Sequence, residues 1–205
     1  PGGSVAKALK GFGSRSDVDW SNVYLFFVNE RCPEGKNLKL ARETWTDAVQ
    51  LPEANIFTVG DGTPSEEARK YEEAIMNLSE KVMPRTVEGV PSFDLILLGM
   101  GADGHVGSLY PDSEQVHSER LVESLERPDK MSITFTPRLL NSGRKVIIAA
   151  TGEQKAATVE RLVTQAPSAA LPASLVVPTF GESEIYLDVQ SGSNLMEKAE
   201  DMPES

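Results

Sequence analysis

The sequence predicts an α/β fold in which helices cover both faces of a mostly parallel sheet. Three short segments, residues 23–28, 93–98 and 146–150, are apolar at nearly every position. Runs of this length that are rich in β-branched and aromatic residues are typical of strands buried on both faces. Amphipathic helical patterns alternate with these runs, which indicates parallel strands joined by helices.

The clearest helical pattern begins at Thr63, before the second apolar run. Pro64 stands at the first helical position and Glu66 stands three residues after Thr63, which is the arrangement of a capping box. Apolar residues then recur at helical spacing on an otherwise charged segment: Ala68, Tyr71, Ile75 and Leu78. Two further helices are predicted over residues 37–49 and 153–163.

The composition indicates one domain over residues 1–205. Hydrophobic residues make up 40% of the chain and charged residues 25%, values that are close to those of soluble globular domains. No internal repeat or low-complexity linker divides the chain, and its length is ample for one core. Residues 190–205 are polar and lack a strong apolar stripe, so we expect a loosely ordered tail there.

The net charge of −11, from 20 basic and 31 acidic residues, argues against binding to nucleic acid or to an anionic membrane. No stretch approaches the roughly 18 apolar residues of a membrane span, and no signal-peptide pattern is present. The single cysteine, Cys32, cannot form an internal disulfide, which fits a reducing compartment. We expect a cytoplasmic monomer, with a plastid as the alternative compartment if a transit peptide preceded Pro1.

The loop after the second apolar run is where a ligand is expected, because open α/β sheets bind ligands at the carboxyl ends of their strands. Gly99, Gly101 and Gly104 match G-x-G-x-x-G, a pattern that can hold the pyrophosphate of a dinucleotide. Residues 106–111 are nevertheless a poor start for the long helix that such a site needs. No convincing strand ending in an acidic residue follows at the expected distance, so the pattern is weak evidence for a dinucleotide.

Asp103 and His105 in the same loop point to acid–base chemistry. An imidazole at a strand end, with an unperturbed pKa of about 6.5, suits a general base. The alternative is a surface histidine in a structural turn, and the other histidine, His117, lies in a polar stretch with no partner pattern. The two histidines are twelve residues apart and Cys32 is distant, so no zinc-ligand spacing occurs and we expect no metal site.

Three places could hold an anion. Gly2, Gly3 and Ser4 look like a glycine turn that opens a helix, whose N–H groups can cradle a phosphate; the alternative is a disordered chain end. Arg31 follows a strand end, where it could hold a phosphate or pair with a neighbouring glutamate. Lys155 stands near a helix start, whereas lysine favours the other end of a helix, and this placement suggests an anionic ligand.

Several of these segments, in the same order along the chain, resemble one family, the 6-phosphogluconolactonases of the pentose phosphate pathway. Residues 93–111 read FDLILLGMGADGHVGSLYP and are close to the family signature FDLxLLGxGxDGHxxSLFP. Residues 2–4 and 20–31 resemble its Gly-Gly-Ser/Thr loop and its W…D-E-R segment, and shorter blocks continue to about residue 188. The related amino-sugar-phosphate isomerase/deaminases typically read D-E-Y and DGHIAFNEP, so the arginine and the S-L-Y-P segment side with the lactonases.

The resemblance implies a three-layer, Rossmann-like fold and hydrolysis of 6-phospho-D-glucono-1,5-lactone in the oxidative pentose phosphate pathway. His105 resembles the family's general base, which activates water, and Asp103 would orient it. The residues that resemble the phosphate-holding set are Gly2, Gly3, Ser4, Arg31 and Lys155. The implied partner is the sugar-phosphate substrate, and the resemblance calls for no metal or organic cofactor.

The chain also departs from the family pattern. Asn29 stands where the family usually has Asp, and residues 127–132, Arg-Pro-Asp-Lys-Met-Ser, replace a Lys-Pro-Pro-Pro-x-Arg stretch. The helix and first strand that normally precede the Gly-Gly-Ser loop are lacking, so we expect an unpaired strand edge in the sheet. These departures keep two alternatives open: a catalytically silent sugar-phosphate-binding protein and an amino-sugar-phosphate isomerase/deaminase.

Overall fold

The computed structural model describes the backbone of residues 4–200 and the side chains of residues 5–196. Two of the residues predicted to bind phosphate, Gly2 and Gly3, and the side chain of a third, Ser4, lie outside the described residues. Among the helices of residues 4–200, none is both long enough and apolar enough to cross a membrane.

Strands in the described part of the chain form three sheets. They are β1 (Leu25–Phe26), β2 (Asn29–Arg31), β3 (Ile56–Phe57), β4 (Ile96–Gly99), β5 (Val122–Arg127), β6 (Lys130–Phe135), β7 (Lys145–Ala150) and β8 (Glu182–Leu187). Strands β1 and β3 pair in parallel, and β4, β7 and β8 form a second parallel sheet in that order. Strands β2, β6 and β5 form an antiparallel sheet. The parallel sheets and their helices confirm the predicted α/β class.

Three of the helices correspond to those predicted from the sequence, with different ends. The helices are α1 (Ser4–Ala8), α2 (Lys36–Ala41), α3 (Pro64–Met76), α4 (Pro137–Leu140), α5 (Ala156–Thr164) and α6 (Ser193–Glu200). The predicted capping box opens α3: the Glu66 amide donates to Thr63 Oγ1 at 3.4 Å, and the Thr63 amide donates to Glu66 Oε2 at 2.9 Å. Helix α2 passes into a π-helical turn, Arg42–Thr46, and a 3-10 turn, Glu153–Lys155, precedes α5.

The first apolar run changes sheets, which its sequence does not reveal. We predicted one strand over residues 23–28, but β1 is followed by two residues outside either sheet. The Phe27 amide donates to the Tyr71 hydroxyl at 2.7 Å, and the Val28 carbonyl accepts from the Phe135 amide at 2.7 Å. These long-range bonds lead the chain from the parallel sheet into the antiparallel one.

The antiparallel sheet is the part of the fold that the sequence patterns miss. Strand β5 ends in the exposed, charged Glu126 and Arg127, and the buried part of β6 includes the polar Ser132 and Thr134, so neither strand has the continuous apolar run of β7. Val122 and Leu125 of β5 and Ile133 and Phe135 of β6 are buried, and α3 packs against both strands. This sheet carries Arg31 and the β5–β6 turn towards the loop after β4.

The main apolar core ties the sheets together. Ile75 of α3, Leu98 of β4 and Val146 of β7 are fully buried in one cluster with Ile133 and Phe135 of β6. Close packing of this kind leaves the packed elements little freedom to move relative to one another. The loops at the ends of β4, β6 and β7 are therefore held in a defined relation to one another.

The segment after β8 is more ordered than we expected for a loose tail from residue 190. Ser191 is fully buried, and its hydroxyl donates to the Ala150 carbonyl at 2.8 Å. Its amide donates to the Asp188 carboxylate at 2.8 Å, and α6 then packs against α5. Residues 191–196 are therefore docked on the fold by these polar contacts and by Leu195, which packs against the main core.

A cavity lies between β1 and β4. It has a volume of about 720 Å³ and is lined mainly by apolar residues, among them Leu9, Phe12, Leu25, Phe26, Phe93 and Ile96. Within the described residues, β1 pairs only with β3 and β4 only with β7, so each has one strand edge without a partner. None of Arg31, Asp103, His105 and Lys155 lines this cavity.

Candidate active site

The loop after β4 holds an aspartate–histidine pair. His105 Nδ1 lies 2.6 Å from Asp103 Oδ1, and the His105 amide donates to the same oxygen at 3.1 Å. Burial works against ionisation of Asp103, but the hydrogen bonds from His105 outweigh it and hold the pKa of this carboxyl below its ordinary value. In the tautomer whose Nδ1–H donates to this carboxylate, a neutral imidazole has its lone pair on Nε2. Nε2 makes no hydrogen bond to any described residue.

The glycines of this loop make room for the imidazole. A Cβ at Gly101 would lie 2.2 Å from two atoms of the His105 ring. Gly104 has φ +89°, and a Cβ there would lie 2.2 Å from Leu171 Cδ1. Residues after the loop form short bridges, Met100 with Val106 and Val106 with Leu109, instead of a helix. The dinucleotide interpretation of G-x-G-x-x-G therefore lacks its helix, and the glycines have a packing role.

Two other segments anchor the loop from outside. Thr158 Oγ1 of α5 donates to the Ala102 carbonyl at 2.5 Å. The Ala173 amide donates to the Gly104 carbonyl at 3.0 Å. The loop also closes on itself, with the Gly101 amide donating to the His105 carbonyl at 2.9 Å. These hydrogen bonds fix the loop, and the imidazole on it, to the rest of the fold.

A neutral hydrogen-bonded cluster joins the same loop to the antiparallel sheet. Asn29 Nδ2 and the Ser132 hydroxyl each lie 3.2 Å from Ser108 Oγ, and the Ser108 amide donates to Thr134 Oγ1 at 3.0 Å. Ser108, Ser132 and Thr134 are fully buried. Asn29 thus has a donor role that an ionised aspartate could not fill.

Arg31, at the end of β2, extends along this face instead of pairing with a glutamate. Its Nη1 donates to the Asp129 carbonyl at 3.1 Å, in the turn between β5 and β6. The neighbouring Glu30 is fully buried and accepts backbone N–H groups from Arg31, Asn37 and Leu38 at 2.8, 2.9 and 2.8 Å. The guanidinium has no carboxylate within ion-pair distance among the described residues, so its charge is available to an anion.

Lys155 lies just beyond the carboxyl end of β7. Burial lowers the pKa of its ammonium group, and the charge of Asp188 only partly opposes this. Asp188 itself is bound by the Gly152 amide, at 3.1 and 3.0 Å from its two oxygens. The ammonium makes no hydrogen bond within the described part of the chain. A partly desolvated cation without a fixed partner is stabilised by an incoming anion.

Tyr110 and Lys130 were not predicted as site residues, yet in the structure Tyr110 contacts His105 and Lys130 contacts Tyr110. The rings of His105 and Tyr110 lie 4.8 Å apart between centroids, tilted by 33°. Lys130 Nζ donates to the Tyr110 hydroxyl at 2.8 Å, and the Arg127 guanidinium lies 5.1 Å from the centre of the same ring. The available signal was the pair of basic residues Arg127 and Lys130. Their position beside Tyr110 depends on the β5–β6 hairpin, which was not predicted.

The structure also gives the surroundings of α1, His117 and Cys32. A Cβ at Gly99 would lie 3.5 Å from Val5 Cγ2, so the helix that begins at Ser4 lies beside the carboxyl end of β4. His117 is exposed in a 3-10 turn and has no side-chain hydrogen bond to a described residue. Burial, with the charges of nearby glutamates, raises the pKa of the Cys32 thiol to about 11, which leaves it protonated at neutral pH. No three described His, Cys, Asp or Glu side chains cluster as metal ligands would.

Comparison with known proteins identifies the family. A profile described as "Glucosamine-6-phosphate isomerases/6-phosphogluconolactonase" matches residues 1–185. The chain is 35% identical over 193 residues to "Probable 6-phosphogluconolactonase 1" of Arabidopsis thaliana, which covers 87% of this chain and 72% of that protein. It is 32% identical over 204 residues to the 6-phosphogluconolactonase of Synechocystis sp., covering 95% of this chain and 82% of that protein.

The fold agrees with these sequence matches. A crystal structure of the devB protein superposes with a TM-score of 0.81 at 29% identity, covering 95% of this chain and 84% of that one. The profile spans far more than half of the chain, and both relatives exceed 30% identity. This chain belongs to the glucosamine-6-phosphate isomerase/6-phosphogluconolactonase family.

Proposed function

We propose that this chain hydrolyses 6-phospho-D-glucono-1,5-lactone to 6-phosphogluconate, a step of the oxidative pentose phosphate pathway. The observation that carries the proposal is the His105–Asp103 pair, whose Nδ1···Oδ1 distance is 2.6 Å, at the carboxyl end of β4. Relatives at 35% and 32% identity are named 6-phosphogluconolactonases, which supports this choice of substrate.

His105 acts as the general base in this scheme. Its Nε2 takes a proton from water while the water oxygen attacks the lactone carbonyl carbon. The tetrahedral intermediate collapses by breaking the bond between that carbon and the ring oxygen. The ring oxygen then takes the proton back from Nε2 and becomes a hydroxyl. Asp103 keeps its bond to Nδ1 throughout and stabilises the transient imidazolium.

Arg31 and Lys155 bind the phosphate in the proposed complex, with Gly2, Gly3 and Ser4 completing the set. Both cations lack a carboxylate partner at hydrogen-bond distance in the described residues, so binding need not break an existing ion pair. Their local charge acts within a Debye length of about 8 Å, which is why a net charge of −11 does not prevent anion binding. Holding the phosphate positions the lactone carbonyl against His105 and lowers the entropic part of the barrier.

Replacement of His105 tests the proposal directly. We expect the wild-type chain to accelerate lactone loss above the spontaneous rate in buffer, and His105→Ala to lower kcat by roughly 10²- to 10⁴-fold, the usual contribution of a general base. His117→Ala is the matched control and should keep full activity, because that ring has no contact with the site. Full activity in His105→Ala would remove this residue from the base role, and a wild-type chain no faster than buffer would refute the hydrolase.

The family profile also names glucosamine-6-phosphate isomerases, so a second activity needs its own assay. Release of ammonia from glucosamine 6-phosphate would identify an isomerase/deaminase. Binding of 6-phosphogluconate in calorimetry without turnover of either substrate would identify a silent sugar-phosphate-binding protein. We expect lactone hydrolysis and no ammonia.

A further inference from the structure

The β5–β6 turn carries a second cation that no carboxylate neutralises. Lys130 is the first residue of β6, and none of the ion pairs among the described residues includes it. Arg127 on the same turn differs, because its Nε lies 3.3 Å from Asp129 Oδ1. In a chain with 31 acidic residues, the half-buried Lys130 has no acidic partner among the described residues, so its charge is available to an anion.

Lys130 and Arg31 lie on the same face of the antiparallel sheet. Arg31 of β2 is directly opposite Ser132 of β6, and cross-strand partners share a face. Lys130 is two residues before Ser132 and therefore lies on that face as well. The Arg31 guanidinium also reaches the Asp129 carbonyl, the group that precedes Lys130, at 3.1 Å. The two side chains thus approach each other at the turn.

Tyr110 gives Lys130 a fixed position. The ammonium lies 2.8 Å from the phenol oxygen and 4.9 Å from the ring centre. The Tyr110 ring also contacts His105, with 4.8 Å between the two ring centroids. A neutral hydroxyl orients the lysine without cancelling its charge, unlike a carboxylate. Tyr110 is therefore a positioning residue for Lys130.

We propose that Lys130, positioned by the Tyr110 hydroxyl, binds the substrate phosphate together with Arg31. This inference rests on the proposed lactonase function and adds a specificity-determining residue to it. It follows that Lys130 favours phosphorylated over unphosphorylated lactone, while the acid–base chemistry remains with His105.

The test compares two substrates in two matched variants. In Lys130→Met, we expect KM for 6-phosphogluconolactone to rise about tenfold, the loss of one charge-assisted hydrogen bond, with kcat changed much less. KM for unphosphorylated glucono-1,5-lactone should stay the same. Lys81→Met is the control, because Lys81 is an exposed lysine that lines the cavity between β1 and β4. It should leave both KM values unchanged.

A double-mutant cycle tests the link to Tyr110. Tyr110→Phe keeps the ring against His105 and removes only the hydroxyl, so we expect a rise of about threefold in KM for the phosphorylated lactone. In the Lys130→Met background the same change should have no further effect. Additive effects would show that the hydroxyl does not act through Lys130.

The outcomes separate this inference from the proposed function. If wild type hydrolyses the lactone and Lys130→Met has the wild-type KM, Lys130 does not bind substrate. An equal rise in KM for both lactones would mean a contact with the sugar and would overturn the phosphate assignment. If the wild-type chain has no lactonase activity, the proposed function fails. Calorimetry then tests Lys130 by itself: weaker binding of phosphate or 6-phosphogluconate by Lys130→Met than by wild type supports its role, and equal binding overturns it.

Discussion

Two lysines at opposite ends of the β4-β7-β8 sheet differ in whether carboxylates neutralise them. At the amino end, Lys145 of β7 pairs with Glu182 at 3.1 Å and with Glu184, and these hydrogen bonds raise the pKa of its ammonium. At the carboxyl end, Lys155 has no ion-pair partner among the described residues, and burial lowers its pKa. Lys145 is thus neutralised by carboxylates, whereas the charge of Lys155 is not. This difference supports the proposal that an acidic protein binds an anion at the carboxyl end of the sheet.

We expect the largest loss of activity for Gly101→Ala, just beyond the carboxyl end of β4. The new Cβ would lie 2.2 Å from the His105 ring, so the imidazole must leave its place against Asp103. We expect kcat for the lactone to fall by about 100-fold, as displacement of a catalytic group by an ångström can cost that much. Steady-state kinetics measures it. Gly11→Ala is the control, since no atom lies within 4 Å of the new Cβ there; equal losses in both variants would contradict the explanation.

Lys155→Met should have the next largest effect. We expect kcat/KM for the phosphorylated lactone to fall by about 10- to 100-fold, the range for a hydrogen bond between charged groups. Stability should not fall, because burial already penalises the charged form of this lysine. Kinetics and thermal unfolding together test this. A lower Tm with unchanged kcat/KM would make Lys155 a structural residue.

The pH dependence of product binding should show the same lysine. Lys155 loses its proton at a lower pH than the ordinary value of 10.5, so affinity for 6-phosphogluconate should fall several-fold as pH rises through the lowered pKa. Titration calorimetry of wild type and Lys155→Arg measures this, and the arginine variant should be flat. A parallel decline in both proteins would assign the effect to another group.

Folding stability should respond to alkaline pH with the opposite sign at the two ends. The unfolded chain binds the Lys155 proton more tightly than the folded one, so the contribution of Lys155 to the free energy of unfolding grows as pH rises. The contribution of Lys145 is present below 10.5 and is lost as pH rises through its raised pKa.

The smallest effect is expected for Lys145→Met. Removing this half-buried partner of two exposed or half-exposed glutamates should lower Tm slightly and change kcat/KM by less than about twofold, because ion pairs near the surface contribute little. Thermal unfolding and the lactone assay check it. A loss of activity comparable with that of Lys155→Met would show that the two ends of the sheet are not functionally distinct.

Local sequence was sufficient to predict the aspartate–histidine loop but not its surroundings. Asp103 and His105 are two residues apart, and the glycines beside them follow directly after a strong apolar strand, so their pairing needs no long-range contact. Tyr110 and Lys130 are 20 residues apart and meet only through the β5–β6 hairpin. That hairpin was missed because charged residues at the end of β5 and the buried polar Ser132 and Thr134 of β6 interrupt any continuous apolar run.

The sequence by itself determined the α/β class, the α3 capping box, the glycine-rich loop with its aspartate–histidine pair and the family resemblance. These depend on neighbouring residues or on short patterns, and the physics that favours them is local. Only the tertiary structure decided which charges are neutralised. Glu184 reaches Lys145 from 39 residues away, while no carboxylate among the described residues reaches Arg31 or Lys130. Charge pairing depends on which strands become neighbours, and that is a property of the whole packed chain.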